Sequence, residues 1–85
     1  MNRIEIYTSP LCVFCHRAKS LLNSKKIEYE EIDVRMQPSK RQEMVERCGF
    51  TSVPQVFSNG HHVGDCNRIY ALDADGKLDS ALGID

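Results

Sequence analysis

Two cysteines separated by two residues stand where a strand-like segment gives way to a helix-like one, and this junction limits the fold more than any other feature. The run RIEIYT predicts a strand from about Arg3 to Tyr7. From Phe14 to Ser24, apolar residues recur at helical spacing. The run IEYEEIDV, residues 27–34, predicts a second strand. Strand, helix and strand within about 32 residues predict a parallel βαβ unit with a right-handed crossover.

The remaining sequence predicts a helix, a hairpin and a further helix. Pro38, Ser39 and Gln42 resemble a helix start with a capping box, and Gly49 is a stop signal. SVPQVF followed by SNGH predicts a strand, an Asn-Gly turn and a return strand around 61–63. CNRIYALD predicts a third helix, and ADGKLDSAL a turn and one more short helical piece. We therefore expect an α/β domain over residues 1–85, a four-stranded mixed sheet with helices on both faces in the order β-α-β-α-β-β-α.

Composition argues against several classes of partner. The 85 residues carry 11 basic and 12 acidic side chains, so we expect no binding to nucleic acid or to an anionic membrane. No apolar stretch approaches the roughly 20 residues of a membrane span, and MNRIEIYTSP lacks the apolar core of a signal peptide. We therefore expect a cytoplasmic protein, in which a close cysteine pair favours metal or redox chemistry over a structural disulfide.

The position of the cysteine pair assigns a different role to each sulfur. Cys12 falls at the expected N-cap of the first helix, where unpaired N–H groups favour an anionic sulfur. Cys15 begins the apolar stripe and should face inward, where desolvation disfavours its anion. We predict that Cys12 attacks a substrate disulfide, and that Cys15 or a small external thiol then resolves the mixed disulfide.

Zinc binding is the structural alternative for a Cys-x-x-Cys pair. A zinc site needs two further ligands at suitable spacing. Cys48 and Cys66 lie 18 positions apart, and His61 and His62 are adjacent, so no second ligand pair is visible. We therefore predict no metal site, and the sequence favours redox chemistry.

Three segments together resemble one known family. IYTSPLCVFCHRAKSLL, TSVPQVF and GDCNRIYAL, in this order and spacing, resemble a glutaredoxin of the short bacterial dithiol type. The resemblance implies a monomer with the thioredoxin fold and glutathione as reductant, with no tightly bound cofactor. It implies as substrates disulfide-containing or glutathionylated proteins, with ribonucleotide reductase as one candidate partner. It also implies that Pro54 is cis and faces the cysteine pair.

The resemblance further implies a groove for glutathione. Its residues by family position are Phe14, Arg41, Thr51, Val53, Pro54, Cys66 and Asn67. The Val53 backbone and the Cys66–Asn67 loop would hold the cysteinyl and γ-glutamyl parts, and Arg41 the glycyl carboxylate. Two plainer interpretations stay open, a strand-edge proline at position 54 and an ordinary solvated arginine at 41.

The chain also departs from the family pattern. Val13-Phe14 replaces the usual Pro-Tyr, Ser9 replaces a lysine, and Asp65 with Asn67-Arg68 replaces a glycine and two acidic positions. Loss of the lysine and of the acidic pair predicts weaker glutathione binding or a less favoured thiolate. Two alternatives therefore remain: an electron donor reduced by thioredoxin reductase, and a glutaredoxin whose first cysteine and glutathione hold an iron–sulfur cluster between two subunits.

Overall fold

Four strands and four helices follow one another along residues 3–84, the part of the chain that the computed structural model describes. The elements in chain order are β1 (Ile4–Thr8), α1 (Val13–Ser24), β2 (Glu30–Asp33), α2 (Pro38–Cys48), β3 (Gln55–Ser58), β4 (His61–Gly64), α3 (Cys66–Ala74) and α4 (Leu78–Leu82). The predicted order is confirmed through α3, and α4 is the short helical piece expected after it. Residues 1, 2 and 85 of the predicted domain lie outside the described part.

The strands form one mixed sheet in the order β2-β1-β3-β4. β1 pairs in parallel with β2 and antiparallel with β3, and β3 pairs antiparallel with β4. Asn59 and Gly60 both have positive φ, 50° and 85°, as the predicted Asn-Gly turn between β3 and β4 requires. The cysteine pair directly follows the carboxyl end of β1, an inner strand of the sheet.

Helices cover both faces of this sheet, as predicted, because the inner strands are apolar on both sides. Along β1, Ile4 and Ile6 belong to one core with residues of α1, α3 and α4. Tyr7 of β1 and Phe57 of β3 belong to a second core with Met44 of α2. The alternation of side chains along a strand therefore assigns α1, α3 and α4 to one face and α2 to the other.

Two local predictions were wrong. The capping box at Ser39 and Gln42 does not form: the N-cap of α2 is Gln37, without a side-chain cap, and Pro38 occupies the first turn. There the missing proline N–H costs no hydrogen bond within the helix. The second strand is also shorter than residues 27–34, because its first partner on β1 is Glu5, paired with Glu30.

Candidate active site

Cys12 is the N-cap residue of α1, and its sulfur accepts the Cys15 backbone N–H at 3.2 Å. The same sulfur lies 3.7 Å from the Val53 carbonyl oxygen, to which the thiol form donates. Cys12 is half-buried, whereas its neighbours Leu11 and Val13 are 81% and 69% exposed. A helix N-terminus with an amide directed at the sulfur favours negative charge there, and the exposed neighbours leave that sulfur open to a substrate.

Cys15 lies in the opposite environment, although it is only one helical turn away. Its side chain is fully buried on the apolar stripe of α1. Burial, followed by the hydrogen bond with Cys12, raises the pKa of the Cys15 thiol to about 12. The Ser9 backbone amide and Lys19 act on this pKa in the other direction. The pair is therefore asymmetric: an approachable sulfur on an anion-favouring helix end, and a shielded neutral thiol behind it.

The segment before β3 faces this pair. The Val53-Pro54 peptide bond is cis, as the family resemblance implied, and Pro54 is buried while Val53 is half-buried. Nearby, the Arg41 guanidinium donates to the Thr51 carbonyl oxygen at 2.6 Å, and both residues are exposed. The structure therefore joins two of the predicted groove residues directly and brings a third, Val53, against the Cys12 sulfur.

Phe14 and Arg17 form an ordered flank beside the pair. The Phe14 side chain is 52% exposed. The Arg17 guanidinium lies 6.0 Å from the Phe14 ring centroid and 5.4 Å from that of Tyr70, whose hydroxyl donates to the Arg17 carbonyl at 2.9 Å. Arg17 is solvent-exposed, although its guanidinium lies over both rings. Its aromatic partner Tyr70 comes from α3, 53 positions away, and no local pattern indicates that contact.

The first turn of α3 completes the surroundings of Cys12. Asp65 caps this helix by accepting the Arg68 backbone N–H at 2.9 Å. Cys66 is buried, with 3% of its surface exposed, and burial raises the pKa of its thiol. Asn67, next to it, is exposed. This loop can therefore offer the Asn67 side chain and backbone groups to a ligand, whereas the Cys66 thiol is packed inside.

The other cysteine and the possible metal ligands do not form a second site. Cys48 is half-buried on α2, and its thiol lies 3.8 Å from the Phe50 carbonyl oxygen. Within residues 3–84, no three or more His, Cys, Asp or Glu side chains are grouped so that they could hold a metal ion. No helix within these residues is long and apolar enough to cross a membrane.

Comparisons with known proteins agree with this geometry. The glutaredoxin family model matches residues 4–63. The chain is 48% identical over 82 residues to glutaredoxin 3 of Escherichia coli K12, and the matched segment covers 96% of this chain and 99% of that protein. It is 40% identical over 82 residues to a glutaredoxin of Pseudomonas aeruginosa, covering 96% and 98% of the two chains.

Solved structures give the same result. A solution structure of a Brucella melitensis glutaredoxin, 48% identical, superposes with a TM-score of 0.83 over 96% of this chain and 89% of the other. A crystal structure of a buckwheat glutaredoxin–glutathione complex, 26% identical, superposes with a TM-score of 0.86 over 96% and 77%.

Proposed function

The chain belongs to the glutaredoxin family of thiol–disulfide oxidoreductases, and from that premise we propose that it uses glutathione to reduce protein disulfides and glutathione mixed disulfides in the cytoplasm. The observation that carries the proposal is the asymmetry of its cysteine pair. Cys12 accepts a helix-terminal N–H at 3.2 Å, and Cys15 is fully buried behind it. The Cys12 sulfur is thus suited to attack a disulfide, and the Cys15 sulfur to resolve the mixed disulfide afterwards.

In the first step, the Cys12 thiolate attacks one sulfur of the substrate disulfide. A Cys12–substrate disulfide forms, the original S–S bond breaks, and its electron pair leaves on the second sulfur, which takes up a proton. The Cys15 N–H and the other free amides of the first turn of α1 stabilise the attacking anion before this step. The open surroundings of Cys12 allow its sulfur and the two sulfurs of the substrate disulfide to lie nearly in line.

The second step has two routes that depend on the substrate. With a protein disulfide, Cys15 loses its proton and attacks the Cys12 sulfur, so the pair becomes a disulfide and the substrate leaves fully reduced. Two glutathione molecules then reduce the Cys12–Cys15 disulfide and become glutathione disulfide. With a glutathionylated substrate, glutathione itself attacks the glutathionyl sulfur on Cys12, and Cys15 is not needed.

We propose that glutathione lies between the Val53-Pro54 segment and the start of α3. The Val53 backbone would pair with the cysteinyl part, and the Cys66–Asn67 segment would hold the γ-glutamyl part. Arg41 uses one N–H on the Thr51 carbonyl and keeps further donors for the glycyl carboxylate. The glutathione bound to the buckwheat relative supports such a groove. The remaining groove residues of this proposal, beside the Arg41 and Val53 contacts, are Phe14 and Thr51.

The test is an assay of a glutathionylated peptide coupled to glutathione reductase. We expect Cys12→Ser to abolish activity and Cys15→Ser to retain it, while Cys15→Ser loses reduction of an intramolecular protein disulfide. Cys48→Ser is the matched control and should retain both reactions. Activity of Cys12→Ser comparable with the native protein would contradict the assignment. Faster reduction of the oxidised protein by thioredoxin reductase than by glutathione would instead favour the electron-donor alternative.

A second candidate is a cluster-binding role at Cys12. It is favoured by a solved structure from work on the metal binding of glutaredoxins, which is 48% identical and superposes with a TM-score of 0.71. Within residues 3–84 of a single chain, however, no three His, Cys, Asp or Glu side chains lie close enough together to hold a metal ion. Glutathione and a second copy would have to complete the ligand set. Anaerobic reconstitution with iron and sulfide, with and without glutathione, followed by a visible spectrum, decides this role: a colourless monomer in both cases excludes it.

A further inference from the structure

Lys19 lies one helical turn after Cys15 on α1, at the i+4 position. Side chains four residues apart on a helix are neighbours, and long side chains lean towards the N-terminus, so the Lys19 stem leads back towards Cys15. The Lys19 side chain is only 21% exposed. Its ion-pair partner Glu31 is 41% exposed, so the pair joins α1 to the sheet at the protein surface.

Glu31 of the sheet holds the Lys19 ammonium group, and Thr8 in turn holds Glu31. Lys19 Nζ donates to Glu31 Oε2 of β2 at 3.0 Å, and the same oxygen accepts the Thr8 hydroxyl of β1 at 2.7 Å. Thr8 is buried, with 1% of its surface exposed, and is the last residue of the strand that leads to Cys12. Burial raises the pKa of the Glu31 carboxyl, but Thr8 and Lys19 more than offset this and hold it below its usual value.

The charged groups around Cys15 act in opposite directions. Cys12, at the helix N-terminus, disfavours the Cys15 anion, whereas Lys19 and the Ser9 amide favour it. On the β2 side, Glu31 faces Lys19, and Asp33 faces Glu31. Lys19 thus supplies a positive charge that favours ionisation of the Cys15 thiol, although its effect is smaller than that of burial, which opposes ionisation.

Building on the proposed function, we propose that Lys19, held by Glu31, is a positioning residue for the resolving step. Its ammonium stabilises the Cys15 thiolate that attacks the mixed disulfide. In that step the Cys15 S–H bond breaks and a Cys12–Cys15 bond forms. The bond between Cys12 and the substrate sulfur breaks with its electron pair on the substrate, whose thiolate takes up the proton that Cys15 lost. Cys15 is oxidised and the substrate sulfur is reduced, while Cys12 remains at the disulfide level throughout this step.

The test separates the two steps in a single turnover. Reduced protein is mixed with bis(2-hydroxyethyl) disulfide, quenched with acid and analysed by mass spectrometry for the Cys12 mixed disulfide and the Cys12–Cys15 disulfide. The variants are Lys19→Met, Lys19→Arg and Lys40→Met. Lys40→Met is the matched control, because it removes one positive charge from an exposed ion pair with Glu43 on α2.

We expect Lys19→Met to slow the resolving step and to displace its pH profile towards higher pH. If the variant has about tenfold less Cys15 thiolate, its rate falls about three- to fourfold, because a more basic thiolate is a better nucleophile. Lys19→Arg should restore the rate, and Lys40→Met should match the native protein. In a Cys15→Ser background, Lys19→Met should leave the rate of mixed-disulfide formation unchanged.

The possible failures are distinguishable. If the mixed disulfide forms and resolves at native rates in Lys19→Met across the pH range, the role of Lys19 is overturned while the proposed function stands. An equal slowing in the Cys15→Ser background would also overturn it, since Lys19 would then act on Cys12. If no mixed disulfide forms on Cys12 in the native protein, the proposed function fails, and this inference fails with it.

Discussion

Gly64 offers a prediction that connects the backbone to the glutathione groove. It ends β4 with φ of +149° and precedes the capping Asp65 of α3. A Cβ built at this position would lie 2.4 Å from Arg68 Cγ and 2.5 Å from Arg68 Cβ, far closer than atoms can pack. Gly64→Ala must therefore displace the first turn of α3, including Cys66 and Asn67, and it also places a side chain on a conformation that favours glycine.

The loss of stability caused by Gly64→Ala can be estimated from the backbone strain. Backbone strain of this kind costs about 1–3 kcal/mol, and each kcal/mol lowers Tm by about 4–8 °C in a domain of this size. We expect Gly64→Ala to lower Tm by roughly 4–24 °C. Because a displacement of about 1 Å can reduce a rate a hundredfold, KM for a glutathionylated peptide should rise about tenfold or more. The Cys12 alkylation rate should change little, since α1 is not displaced.

Double variants test the reasoning by thermal unfolding and by the coupled peptide assay. Arg68→Ala keeps the Cβ that lies 2.5 Å from the built atom, so it should not relieve the effect of Gly64→Ala. Arg68→Gly removes both contacting atoms, so Gly64→Ala should cost less Tm in that background than in the native one. A Gly64→Ala protein with native Tm and native KM would refute this account of the loop.

Three further predictions concern stability. Arg47→Met should lower the free energy of unfolding in urea by about 2–4 kcal/mol, because its guanidinium stacks 4.1 Å from the Phe57 centroid and donates to the Tyr7 hydroxyl at 2.6 Å. Arg3→Met, which removes a largely exposed ion pair with Glu30, should destabilise the protein far less than Arg47→Met. Asp65→Ala should cost about 1 kcal/mol through loss of the α3 cap, measured in the same way. Burial, followed by the hydrogen bond to Glu43, raises the pKa of Tyr7 to about 12. The stability that the neutral Tyr7 hydroxyl contributes is therefore present below pH about 10 and is lost as the pH rises towards 12. Absorbance at 295 nm should show a tyrosine ionisation at high pH that Tyr7→Phe lacks. Equal urea midpoints for the two arginine variants, or an unchanged late ionisation in Tyr7→Phe, would contradict these assignments.

The elements of the fold could be predicted because each has a local signal. Alternating apolar residues marked β1, helical spacing marked α1, and Asn59-Gly60 marked the hairpin. The limits of β2 could not be predicted, since a strand extends only where its neighbour pairs with it, and β1 pairs with β2 only from Glu5 to Thr8. The capping box failed because Pro38 sets the N-cap of α2 at Gln37, two residues before Ser39.

The cysteine pair could also be predicted, because the properties that distinguish Cys12 from Cys15 depend on local helix position. The charged residues around it could not. In the structure Arg17 lies over the Tyr70 ring of α3, and Lys19 binds Glu31 of β2. Such partners are distant in sequence, so only the packed structure shows which helix charges are held in place.

Cys12 and Cys15 lie in unequal environments, and the alkylation rate of each cysteine measures this difference most directly. Reduced native protein would be treated with iodoacetamide at pH 7, and modification of each cysteine followed by peptide mass spectrometry. We predict that Cys12 reacts at least about tenfold faster than Cys48 or Cys66, and that Cys15 reacts only after denaturation. Modification of Cys12 no faster than of Cys48 or Cys66 would contradict the account.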